Sequence, residues 1–111
     1  MNQRLKPSIW VEAQVRHCNG LAVPLYVLKR GDGDAGMILI KLIREPDQVI
    51  ILSPTRNEEG ELAWTRPLGP ESVTEEAADT YLDRQTGYDP DLWILEIDDS
   101  AGLWQPDSPI L

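Results

Sequence analysis

The run Met37-Ile38-Leu39-Ile40-Lys41-Leu42-Ile43 constrains the fold of this chain more than any other segment. It has one polar residue, no glycine and no proline, which is the composition of a buried strand. Successive strand side chains point to opposite faces, so Met37, Leu39 and Ile43 oppose Ile38, Ile40 and Leu42. Both faces are apolar. The same holds where Val49 and Ile51 oppose Ile50 and Leu52, and where Leu92 and Ile94 oppose Trp93, Leu95 and Ile97. An antiparallel sheet wet on one side would alternate apolar with polar residues. This sheet must therefore be covered twice.

The remaining segments supply the other elements. Residues 8–20 read as a helix that Ser8 caps and Asn19-Gly20 stops. Leu21 to Arg30 is a strand, with Pro24 suiting an edge. Gly31-Asp32-Gly33-Asp34-Ala35-Gly36 is a turn, and Pro54 to Gly60 a polar loop before a strand at Leu62–Arg66. Short links make these four strands a meander of hairpins. Ser72-Val73-Thr74-Glu75 is a capping box for a second helix, which Gly87 ends before a last strand at 92–97. The predicted class is α+β: a single domain over 1–99 in the order α-β-β-β-β-α-β, with a largely antiparallel sheet and two helices packed on one face. Residues 100–111 are predicted to be a loosely ordered tail.

Five strands about 4.8 Å apart make a sheet about 24 Å wide, and two helices about 10 Å across cover one face of it. The second face then calls for a second copy of the chain, for the tail with Trp104, Ile110 and Leu111, or for curling of the sheet. A homodimer is the expectation.

Charge narrows the partners. Nineteen acidic residues against ten basic ones give a net charge of -9 over 111 residues. Nucleic acids and anionic membranes meet Coulomb repulsion before any local contact. No apolar run approaches the ~20 residues of a membrane span, and no targeting signal is visible, so a cytoplasmic protein is expected. A lone cysteine, Cys18, excludes an internal disulfide framework and a cysteine-rich zinc site. No cofactor or metal is expected.

Four groups of residues invite a chemical reading. Asp32 and Asp34 suggest a metal loop, but Met37–Leu42 is apolar where a calcium loop needs further ligands, so they read as turn residues. His17 and Cys18 are adjacent on a helix and point about 100° apart, so they form no dyad. Asp89, Asp91, Glu96 and Asp98 are the densest acidic stretch. With Lys41 they outline a metal-dependent hydrolase or nuclease-like arrangement, weakened because Leu39 stands where an acid two residues before the lysine is needed. Lys41 and Glu96 each interrupt an apolar strand, and a buried charge must be paired. They are predicted to pair with each other, with a lysine that snorkels to the rim as the other structural reading, or to meet a ligand on the open face.

The segments Ile9-Trp10-Val11, Lys29 to Gly36 running into Ile38–Lys41, Trp64 to Gly69, and Tyr88-Asp89-Pro90-Asp91-Leu92-Trp93 through Glu96 resemble the bacterial DUF1491 proteins, a domain of unknown function. The resemblance spans residues 4–99. It implies a small, compact cytoplasmic domain with no assigned activity and no catalytic residues to transfer. The expected function is a non-enzymatic interaction or regulatory module that self-associates through a sheet face. Its candidate binding residues are Lys41, Asp89, Asp91, Trp93 and Glu96, and the acidic hydrolase is the alternative.

Overall fold

The structure is a computed structural model and describes residues 5–111. Its elements are α1 (Pro7–Leu21), β1 (Leu25–Lys29), β2 (Ile38–Glu45), β3 (Gln48–Arg56), β4 (Leu62–Thr65), α2 (Glu75–Tyr88) and β5 (Trp93–Asp98). Class and element order agree with the sequence reading. The five strands form one sheet in the order β1-β5-β2-β3-β4, antiparallel except for the β2–β5 pair.

The predicted four-stranded meander is broken on one side, because β5 inserts between β1 and β2. Burial explains the choice. β5 is apolar on both faces and gains most from a central place, whereas β1 carries Tyr26, Leu28 and Lys29 and tolerates an edge. β3 also runs further than the sequence suggests, pairing through Pro54 and Arg56 with β4.

The two helices lie on opposite faces, which corrects the expectation that both pack on one. Trp10, Val11 and Cys18 of α1 meet Ile38, Ile40, Leu42, Trp93, Leu95 and Ile97. Ala78 and Leu82 of α2 meet Leu39, Ile51, Leu92 and Ile94. These sets are the two parities of the same strands. The inference that the sheet is apolar on both sides therefore stands, while the argument for a face-to-face dimer does not.

The segment after Asp99 completes the α1 face. Trp104 is fully buried, and its indole N–H donates to Gln14 Oε1 at 3.0 Å. The Trp10 indole donates to Asp107 at 2.9 Å, and the Trp10 and Trp64 rings sit 5.9 Å apart. Further on, Trp64 N–H donates to Pro109 O and Leu111 N–H to Trp64 O, so this segment runs along the outer edge of β4. The expectation of a loosely ordered tail differs from what is seen. The reason is Asp99, which is 1% exposed. Its carboxylate accepts from the Leu103 and Trp104 amides and from Arg44 at 2.8–3.0 Å, turning the chain back onto the core.

Helix ends also differ in detail. Ser8 is not the cap of α1; its hydroxyl donates to Gly33 O, and Pro7 opens the helix after Lys6. For α2 the cap is Thr74 rather than Ser72, and its Oγ1 accepts from Ala77 N–H. Asp47, in the β2–β3 turn, accepts from Glu75 N–H and satisfies another free amide of that helix end. Cys18 is buried as expected, and burial, then the Asp99 charge, push its thiol pKa up, away from reactive thiolate chemistry.

Candidate functional site

Two of the motif segments singled out above are the halves of one interlock. Gly31 and Gly36 press on the Asp91 carbonyl so closely that a Cβ at Gly31 would sit 2.1 Å from that oxygen and 2.6 Å from Leu92 C. Asp32 N–H donates to Asp91 O at 2.8 Å, and the Trp93 indole donates to Asp32 O at 2.8 Å. The Lys29 ammonium donates to Pro90 O and Leu92 O, and Arg30 lies 5.2 Å from the Trp93 ring centroid. Asp32 Oδ2 accepts from the Asp34 and Ala35 amides, and Asp89 Oδ1 from Asp91 N–H. The Asp32 and Asp89 carboxylates shape turns, as the sequence reading expects of Asp32, while the Asp34 carboxylate pairs with Lys6 at 3.3 Å.

Gly31→Ala is accordingly expected to cost about 3 kcal/mol, because backbone rather than a flexible side chain must give way. At roughly 4 °C or more per kcal/mol, its melting temperature should fall by more than about 10 °C. Gly20→Ala, which meets no atom within 4 Å inside α1, is the control and should be neutral or slightly stabilising. Thermal unfolding followed by circular dichroism checks both.

Lys41 occupies the centre of the α2 face. It is 3% exposed, and its ammonium contacts Asp79 at 2.8 Å, Glu75 at 3.0 Å and Glu96 at 3.2 Å. Burial alone would push its pKa down, but its hydrogen bonds to Asp79, Glu75 and Glu96 outweigh that and hold it above the usual lysine value. The predicted Lys41–Glu96 pair is present. The two further partners were not singled out in the sequence. Their signal is the spacing of Glu75, Asp79 and Asp83, which puts three carboxylates on one side of α2.

Glu96 and Asp98 share the α2 face of β5 and line a cavity of about 320 Å³ with Glu75, Glu45 and Arg44. Asp79 and Asp83 line a second cavity, of about 440 Å³, with Leu28, Lys29, Leu82 and Ile94. The first opens at the β2–β3 turn and the second between α2 and β1, and the acidic side chains of α2 and β5 that line them form an acidic trough along the α2 side of the sheet. Asp89 and Asp91 belong elsewhere. They precede the start of β5, and Glu96 is a further three strand residues, about 10 Å, along it. The structure thus joins Lys41 to Glu96 but leaves Asp89, Asp91 and Trp93 in the interlock, and the four-acid hydrolase arrangement does not assemble. Among the described residues no group of three histidine, cysteine or acidic side chains is arranged to hold a metal ion.

The edge beside this trough is exposed. Tyr26 is 51% and Leu28 50% exposed, with Val27 between them at 36%. The register shifts between Val27 and Lys29, a bulge at Leu28. Asp98 N–H donates to Pro24 O, so by the alternation of an antiparallel ladder the Leu25 and Val27 main-chain groups face away from β5. Among the described residues no strand pairs with that outer side.

A family model described as a protein of unknown function, DUF1491, matches residues 5–104. The chain belongs to the DUF1491 family. Its fold is similar to the 1.87 Å crystal structure of a DUF1491 family protein from Caulobacter crescentus CB15, with a TM-score of 0.85 and 30% identity over 96% of this chain and 99% of that one. The NMR structure of a DUF1491 protein from the same organism gives 0.82 and 29% over 99% of both chains. The solution structure of protein Atu0922 from A. tumefaciens gives 0.72 at 24% identity, over 96% of this chain and 100% of that one, a likeness of fold alone. No curated protein matches. Among the described residues of this DUF1491 protein, no helix is long and apolar enough to cross a membrane.

Proposed function

We propose that this DUF1491 protein is a non-catalytic interaction module whose contact surface is the open outer edge of β1. The observation that supports this most directly is the contrast between the two sheet edges. The outer edge of β4 is occupied by residues 109–111, whereas the outer edge of β1 offers unpaired main-chain groups flanked by exposed Tyr26, Val27 and Leu28. Proteins commonly blunt such edges, because an exposed row of N–H and C=O groups templates pairing with another strand. Main-chain pairing supplies affinity in this mode, and pockets for alternate side chains supply selectivity. A regulatory role follows if strand addition here alters what the partner does. The sheet faces, which α1 and α2 occupy, offer no place for the self-association the sequence suggests, so a second copy competes with other partners only for this edge.

The test is Val27→Pro. Proline removes one outward N–H and is tolerated on an edge strand whose N–H faces solvent, so the variant should fold while losing strand addition. A random peptide library displayed against the wild-type protein should yield extended peptides that shift the Leu25 and Val27 amide resonances and fail to bind Val27→Pro. Sedimentation of both proteins reads self-association at the same edge. Selected peptides that bind Val27→Pro as well as they bind wild type would overturn the reading.

A further inference from the structure

Resting on that reading, we infer that the strand added at β1 is a basic segment of another protein, alternating lysine or arginine with apolar residues, rather than a second copy of this chain. Charge carries the choice of partner. On the α2 side of the sheet five carboxylates line two cavities, Asp79 and Asp83 the one beside β1, and Glu75, Glu96 and Asp98, together with Arg44, the one at the β2–β3 turn. The Lys41 ammonium at the base neutralises one charge and is already held by three of them. Lys29, which lines the cavity beside β1, has its ammonium held by the Pro90 and Leu92 carbonyls. The trough therefore keeps excess negative charge, most of it on exposed carboxylates, so its attraction for a cationic segment is open to screening by salt.

The apolar part of the partner follows from the walls. Leu28, Leu82 and Ile94 line the cavity nearest the edge, and Leu28 stands at its lip because of the bulge. A strand beside β1 would point every second side chain toward the trough. Long, flexible cationic side chains suit that side, since their aliphatic stems can lie along Leu28 and Tyr26 while their heads reach the carboxylates. On the other side, the alternating apolar residues meet Val27 and the half-buried Leu25 on the α1 face.

A second copy fits less well. Antiparallel pairing of β1 with itself about a twofold axis would bring both α2 acidic stripes to the same side, on two chains that each carry -9. Like charges so placed weaken association.

Two synthetic peptides of equal length test this, one alternating lysine with valine and the other glutamate with valine. The expected result is that the lysine peptide shifts the Leu25 and Val27 amides, that Asp79→Asn/Asp83→Asn weakens it about tenfold, and that binding falls as salt rises. Equal binding of the glutamate peptide, or no effect of the Asp79/Asp83 variant, overturns the basic-partner inference and leaves the edge reading standing. Failure of both peptides to bind a protein that stays monomeric, or equal binding of the lysine peptide to Val27→Pro, overturns the inference and the edge reading together. A stable dimer that Val27→Pro dissociates, with neither peptide bound to the monomer, makes the partner a second copy and overturns the inference alone.

Discussion

Trp104→Ala is expected to cost about 3–5 kcal/mol, as removal of a fully buried aromatic side chain does. Truncation after Asp99 is expected to leave no cooperative unfolding transition. The truncated chain loses Trp104 from the α1 face, the partners of the Asp99 carboxylate, and the main-chain bonds from Trp64 to Pro109 and Leu111. A domain of this size holds about 5–15 kcal/mol in total, so the single substitution consumes a large share of it. Near-ultraviolet circular dichroism and urea denaturation separate the outcomes. A truncated chain that melts as the full one does would show that the segment after Asp99 contributes nothing to the fold.

The second large effect falls on Lys41. Lys41→Met leaves Glu75, Asp79 and Glu96 facing one another without their shared cation, at an expected cost of about 3 kcal/mol. That is the lower end for a broken buried ion pair, because Glu75 and Asp79 are half exposed and water screens them. The pH dependence has a definite sign. The native pKa of Lys41 lies above the ordinary value of 10.5, so its contribution is fully present below about pH 10.5. It is lost as pH rises from there through the native value, where the unfolded chain gives up its proton first. Urea midpoints should therefore differ by a constant amount between wild type and Lys41→Met from neutral pH to about pH 10, and converge only above that. A difference that already shrinks by pH 9 would contradict a charged lysine held by three carboxylates.

The sequence disclosed these features unequally. Strand parity is a local property, and Ile38 to Leu42 with Leu92 to Ile97 display it fully, so the demand for cover on both faces was legible. What covers each face is a long-range property. Nothing local to Trp10 or Leu82 says which face its helix will take, and the width argument took both helices together. The buried state of Trp104 depends on Asp99, whose role emerges only once the Leu103 and Trp104 amides fold back onto its carboxylate. The candidate site divides in the same way. The need to pair Lys41 with Glu96 follows from two charges in apolar strands. The help from Glu75 and Asp79 requires α2 to be laid across β2, which helical spacing alone does not reveal. Asp89 and Asp91 drew attention as carboxylates, yet what the fold uses at that turn is largely main chain, from the Asp91 carbonyl to the glycines that clear space for it.

The strand order has a consequence for how the molecule comes into being. β5 separates β1 from β2, so half of the sheet cannot assemble from neighbouring hairpins, and β1 gains its partner only when residues 93–98 arrive. During synthesis the first strand must wait for nearly the whole chain to leave the ribosome. Long-range pairings of this kind slow folding and prolong the time in which apolar strands stand bare. A nascent chain held before residues 93–98 emerge should therefore be a ready client for chaperones, and one held with residues 5–111 fully emerged should not.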